Sequence, residues 1–324
     1  MPNTAPVPTP QPLPDTQPEH LDPLQRRRRR IRSLAALAWL LMLSVITVSA
    51  FIRLSQSGVG CADWPVCYEQ AAGHASAHPW LGLARATHRV TASAMLLVVL
   101  GLLVATGRRT PDLRHERRLA LRVLLLTLWL AGLGALMRGA SAPAVVLGNL
   151  LGGLATLALC GRLLVCGSDR TAPAPSLRRW AWWAMLLVFF QAAFGGLIDA
   201  RHAASSCQHL SECADLARAA GWDWRVLSPW PAASAAGELA PQARGAWLHL
   251  LHRLGALLLV PVLATLAWKA LRQGFSIPAI GVFVLLVLEL TLGSLLAATG
   301  FPLPLALAHN LVAALLLTLL AGLA

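Results

Sequence analysis

Long apolar runs separated by short charged segments organise this chain. Eight such runs occur at about 34–52, 80–106, 119–137, 143–166, 180–200, 245–268, 278–298 and 303–323. Each is long enough to cross a hydrocarbon layer of about 30 Å as a helix. None alternates apolar and polar residues as a barrel strand would, and lipid admits only helices or closed barrels. The pattern predicts an all-α integral membrane protein with eight transmembrane helices. In each half a long outer loop (53–79, 201–244) is followed by a short one (about 138–142, 299–302). His88-Arg89-Val90 also resembles His252-Arg253-Leu254. The repetition predicts two pseudo-symmetric four-helix bundles. The expected units are a disordered cytoplasmic tail (1–33), an N-terminal four-helix half (34–166), a cytoplasmic linker (167–179) and a C-terminal four-helix half (180–324).

Composition agrees with that class: 56% of the residues are apolar and 13% charged. Charge adds topology. The net +13 is concentrated at Arg26–Arg30 with Arg32, at Arg108, Arg109, Arg114, Arg117 and Arg118, at Arg170, Arg178 and Arg179, and at Lys269 with Arg272. These segments fall at the N-terminus and in every second loop, so the positive-inside rule predicts cytoplasmic termini and periplasmic cysteine loops. A basic segment before a first span is orientation chemistry at an anionic lipid surface, so the bilayer and not nucleic acid is the expected partner. Residues 1–25 are rich in Pro, Thr and Gln and are expected to be disordered. The first apolar run has no small-residue cleavage site and is expected to remain as a helix.

Candidate chemistry sits at the outer ends of the spans. Cys61 and Cys67 precede a span carrying His88-Arg89, and Cys207 and Cys213, at the same spacing, precede one carrying His252-Arg253. His252 and His309 lie at similar depth, and an imidazole there needs a partner. They either ligate a six-coordinate haem iron between facing helices or hydrogen-bond to each other. No histidine occurs between His115 and His202, so the first half offers His88 without a counterpart, and Asn149 or Gly148 stands where His309 would. Arg89 and Arg253 either meet haem propionates or snorkel to headgroups. The outer cysteines form disulfides or, less in keeping with their spacing, a zinc site. Cys160 and Cys166 read as apolar packing. Glu289 is an intramembrane acid, either functional or a protonated hydrogen-bonding group, and Gln191, like it, has a glycine four residues later.

At these residues the chain resembles the haem A synthase family. The string Arg53-Leu54-Ser55-Gln56-Ser57-Gly58 through Cys61-Ala62-Asp63-Trp64-Pro65-Val66-Cys67-Tyr68 is similar to that family's first-loop signature. Gln191-Ala192-Ala193-Phe194-Gly195-Gly196, Cys207 with Cys213, His252-Arg253 and His309 are similar to its second-half signature, and the likeness spans about 34–324. The resemblance implies an inner-membrane oxidoreductase that converts the C8 methyl of haem O to the formyl of haem A, with water as oxygen source, for haem–copper oxidases. It implies His252 and His309 as ligands of a resident haem b, His88 at the substrate haem site, and first-loop cysteines over that site that either form a disulfide or take part in redox chemistry. The expected disulfides are Cys61–Cys67 and Cys207–Cys213, and Arg253 is the candidate propionate partner. Haem O synthase, oxidase assembly factors and further copies of the chain are the implied partners.

Two positions depart from the family pattern. Arg85 stands where the family has a glutamate three residues before the first-half histidine, and Asn149 where it has a histidine on the fourth span. Arginine reverses the charge expected beside the reacting carbon, with Arg89 next to it. A catalytically inactive haem-binding paralogue in haem transfer, sensing or oxidase assembly is therefore the second expectation. A proton-coupled transporter using Glu289 would leave the cysteine loops and the histidines unexplained.

Overall fold

Each apolar run becomes one helix. The computed structural model describes residues 23–56, 79–107, 113–136, 143–166, 172–230 and 241–324. Its helices are α1 (Pro23–Gln56), α2 (Pro79–Thr106), α3 (Arg114–Leu136), α4 (Pro143–Val165), α5 (Pro175–Ala200), α6 (Leu210–Ala220), α7 (Pro241–Arg272), α8 (Ser276–Ala298) and α9 (Leu303–Leu323). All but the short α6 are long and apolar enough to span a membrane. No strand occurs among the described residues. Proline opens α1, α2, α4, α5 and α7, where its fixed φ starts a helix and its missing N–H costs nothing.

Two expectations about boundaries are corrected. Residues 23–33, assigned to a disordered tail, are the first turns of α1. Arginine is a good helix former, Ile31 is buried at 2% exposure, and Arg27 Nε donates to the Ala105 carbonyl at the end of α2 (2.7 Å). The linker 167–179 likewise ends early, because Pro175 begins α5. Cys61, Cys67 and the disulfide expected between them lie outside the described residues.

The helices pack in two rings. α2 lies on α1 and α3, and α4 lies on the same two. In the second ring α7 lies on α5 and α8, and α9 lies on those two. Thus α2 faces α4, and α7 faces α9, diagonally across a ring. The rings are joined where α9 meets α1 and α4, and where α4 meets α5. One core cluster runs through the join, with Met42 and Ile46 of α1, Leu154 and Leu157 of α4, Val188 of α5 and Leu316 and Leu317 of α9. Side chains leaving lipid gain little by the hydrophobic effect, so close packing and interhelical hydrogen bonds hold the join, with couplings averaging about 0.6 kcal/mol. Trp39 Nε1 donates to Thr318 Oγ1 (3.1 Å), and Arg162 Nη1 to the Ala321 carbonyl (3.3 Å). Large apolar residues on the outside, among them Leu97, Val104, Leu125, Ile277 and Phe283, suit a lipid-facing surface.

The segment between α5 and α7 is folded over the end of the second ring. The Cys207–Cys213 disulfide, with Cα atoms 5.3 Å apart, fixes the start of α6, and α6 lies on α7. Both cysteines are buried with Ala246 of α7. Glu212 accepts the backbone N–H groups of Gln208 (2.7 Å) and His209 (3.3 Å) ahead of α6. These bonds favour the charged carboxylate and hold its pKa below the usual value. Trp247 Nε1 donates to the Gly221 carbonyl (2.8 Å), and Trp222 stacks edge-on against Trp224 and Trp247.

Candidate functional site

A cavity of about 480 Å³ lies inside the second ring. Residues of α5, α7, α8 and α9 form most of its wall, Ile46, Arg53 and Leu54 of α1 and Leu150 and Leu154 of α4 add to it, and Ala204, Leu210 and Phe301 also line it. His252 and His309 reach it from the diagonal helices α7 and α9. Their ring centroids stand 6.3 Å apart with planes at 74°.

Each ring is held at Nδ1 by a neighbouring helix, and the two holders match. Gln191 of α5 and His252 form a reciprocal pair: the Gln191 amide donates to the His252 carbonyl (2.5 Å), and His252 Nδ1 lies 3.2 Å from the Gln191 carbonyl. Nδ1 is also 3.1 Å from the amide nitrogen. The amide carries two N–H groups and can meet both the carbonyl and Nδ1; where Nε2 of His252 serves as a ligand, Nδ1 carries the proton and donates to the Gln191 backbone carbonyl. One turn on, Gly195 lacks the Cβ that would come within 3.3 Å of the ring Cε1. On α8, Glu289 Oε2 lies 3.1 Å from His309 Nδ1, a contact in which the N–H is not well aligned. Gly293, again one turn on, lacks a Cβ that would lie 3.4 Å from Cε1 of that ring.

Both Nδ1 atoms lie against a polar group of a neighbouring helix, the tautomer that leaves the lone pair on Nε2 being the one a metal would select. Neither Nε2 makes a hydrogen bond among the described residues. Two imidazoles bound to one metal at about 2.0 Å, with about 1 Å more from nitrogen to ring centre, place their centroids about 6 Å apart. The observed spacing matches. Among the described residues no three His, Cys, Asp or Glu side chains converge on a metal position. The pair would suit the metal of a cofactor that brings its remaining ligands with it.

Charged groups lie along the same wall. Arg53 of α1 pairs through Nε with Asp199 Oδ2 of α5, side chains 17% and 9% exposed. Asp199 Oδ1 and Arg253 Nη2 are buried without a hydrogen-bond partner. Arg253 Nη1 touches Cys213 Sγ (3.5 Å). His249, 3% exposed, is engaged at Nε2 by the carbonyls of Ala203 (2.9 Å) and Ala204 (3.1 Å), so it ties α7 to the overlying loop.

Residues 32–321 match the family described as cytochrome oxidase assembly protein. The chain belongs to that family. A relative, the Heme A synthase of Shewanella oneidensis, is 30% identical over 325 residues, which take in 87% of this chain and 93% of that protein. The cytochrome oxidase assembly family match thus covers both rings, the cavity and both histidines.

The first ring does not gather its predicted residues in this cavity. On α2, Arg85 and Arg89 are exposed and His88 is half-buried, while Asn149 is half-buried on the diagonal helix α4. None of them lines the cavity in the second ring. Arg253 does line it. Asp199 escaped the sequence reading altogether. Its one signal was an acid at the end of an apolar run, and its partner lies 146 residues away. Gly293, four residues after Glu289, carried the same i, i+4 signal that Gln191 and Gly195 did.

Proposed function

We propose that this member of the cytochrome oxidase assembly family is a haem A synthase that oxidises the C8 methyl of haem O to the formyl of haem A for haem–copper oxidases. The observation that carries the reading is the pair of imidazoles, His252 and His309, each with Nδ1 against a polar group of a neighbouring helix, their centroids 6.3 Å apart in one cavity. The residues fit haem b: His252 and His309 would hold its iron, the glycines leave room for the two rings, and the volume lies in the range of ligand pockets, about 300–1,000 Å³. Haem b, when bound, supplies one-electron transfer. The chain's own part is to hold the ring planes through Gln191 and Glu289, to exclude water with α6 and its loop, and to offer Arg253 to a propionate.

His88 belongs on this reading to the substrate site in the first half (34–166), while the second half (180–324) holds haem b. The arginine distribution supports cytoplasmic termini and periplasmic cysteine loops, and the resemblance to haem A synthases supports the inner membrane. Haem O synthase and oxidase assembly factors are the partners that would deliver substrate and take product.

The second reading, a haem-binding paralogue without synthase activity, is favoured by one observation: Arg85 is exposed on α2 as a cation where an acid is expected. Expression in a haem-A-deficient host that makes haem O, followed by chromatography of extracted membrane haems, separates the two. Haem A or hydroxylated haem O establishes the synthase. Haem b and haem O alone, with folded protein present, establish the paralogue, and Arg85→Glu with Asn149→His is then the variant to restore activity.

A further inference from the structure

The two axial histidines are framed alike in geometry and differently in charge. Each frame is a polar residue followed four positions later by a glycine: Gln191 and Gly195 on α5 for His252, Glu289 and Gly293 on α8 for His309. The α5 frame is neutral and its acceptor is a backbone carbonyl. The α8 frame is a carboxyl group. Two acids line the cavity, Asp199 and Glu289. Asp199 is already paired with Arg53. Among the described residues Glu289 has no arginine or lysine within ion-pair distance, and Oε2 has no partner besides His309 Nδ1. Its side chain is 19% exposed, in the middle of a membrane-spanning helix, where an acid is expensive to keep.

We propose that Glu289 is the positioning residue that makes His309 the more strongly donating of the two axial ligands and thereby sets the reduction potential of the bound haem. This rests on the reading of His252 and His309 as haem ligands. A carboxylate at the distal ring nitrogen fixes the tautomer and raises the basicity of the ligating one, whereas a backbone carbonyl does so less. A more basic, more anionic ligand set favours ferric over ferrous iron. The geometry also explains Gly293: without a Cβ, the ring can lie against α8 one turn from the carboxylate. Arg253, His249 and the Arg53–Asp199 pair face the same cavity and stay constant in the test variants, so their fields cancel in the comparison.

The experiment is a spectroelectrochemical titration of the purified full-length protein, with low-spin EPR, for wild type, Glu289→Gln, Glu289→Asp and Gln191→Glu. Glu289→Gln should raise the midpoint by a factor of about ten in the ferric/ferrous equilibrium, which is about 59 mV for one electron. Gln191→Glu should lower it, and Glu289→Asp, which keeps the charge, should stay near wild type. Equal midpoints for wild type, Glu289→Gln and Gln191→Glu overturn the proposal. So does a Glu289→Gln protein that loses part of its haem while the retained fraction keeps the native midpoint, because that is the mark of a merely structural residue. If Glu289→Gln does not fold, Gln191→Glu and Glu289→Asp decide by the same criteria. A wild-type protein purified without low-spin bis-imidazole haem sinks the ligand reading itself, and the proposal with it.

Discussion

The Arg53–Asp199 pair ties α1 in the first ring to α5 in the second, at the wall of the cavity, and its removal has a calculable cost. The perturbations are Arg53→Met and Asp199→Asn, singly and together. Arg53→Met leaves a carboxylate with neither oxygen bonded, because Oδ1 already lacks a partner. Breaking a buried pair by removing one member costs about 3–5 kcal/mol. Here the side chains keep 17% and 9% exposure, so solvent screening reduces the expectation to about 2–3 kcal/mol for each single variant. The double variant leaves no uncompensated charge and should lose less than the sum, giving a coupling of about 1–2 kcal/mol, above the average of about 0.6 kcal/mol for hydrogen bonds between membrane helices. Equilibrium unfolding in mixed detergent and SDS micelles, followed by tryptophan fluorescence, measures all four proteins. Additive single effects, with coupling under about 0.5 kcal/mol, would refute the claim that this pair holds the rings together.

Three further outcomes test other parts of the structure. Cys207→Ser or reduction should cost about 2 kcal/mol by loop entropy for so short a loop and expose residues 201–230, which limited proteolysis reads directly. Glu212 has a folded pKa below its unfolded value, so its stabilisation of α6 is present above about pH 4.5 and is lost as pH falls through the lowered folded value. Hydrogen exchange across α6 should show that loss in wild type, and a Glu212→Gln protein should be flat over the same range. Gly293→Val or Gly195→Val places carbon where a ring already lies, 3.4 or 3.3 Å from the Cβ position, so haem b per polypeptide should fall several-fold while helix content by circular dichroism is kept.

What the sequence made legible is what a local pattern encodes. Membrane spans are apolar over their whole circumference, so runs of the right length located all eight, and His252 and His309 stood out because an imidazole is rare in such runs. Helix ends were less legible, since Pro23 and Pro175 start helices well before the apolar run does. The short helix α6 has an amphipathic pattern inside a loop held by a disulfide and carries no membrane-length signal. The cavity wall was beyond reach, because Ile46, Leu150 and His309 meet there only through packing. Gln191 and Glu289 were visible as polar residues in apolar helices; that each would face a histidine was not, as the partner is set by the diagonal order of the ring.

A comparison of α1 with α5 shows how the two rings diverge. Set Ser49-Ala50-Phe51-Ile52-Arg53 beside Gly195-Gly196-Leu197-Ile198-Asp199, and Arg53 falls at the position of Asp199. Identical residues at positions that come together would place like charges against each other; opposite signs turn the same contact into an ion pair, which is the one observed. Eight residues before Asp199 is Gln191, and eight before Arg53 is Val45; Gly195 corresponds to Ser49. At the matching places of the first ring, then, there is no amide to hold an imidazole and no glycine against which to lay it. With Asn149 on the helix diagonal to His88, the described residues place no imidazole opposite His88, and α1 offers it no amide–glycine frame of the kind α5 offers His252. A ring that fixes two rotated imidazoles suits a group held permanently, and a ring with one unframed imidazole suits a group that enters, reacts and leaves. The asymmetry of the frames is thus the physical argument behind the proposal that a resident haem belongs to the second half and the substrate to the first.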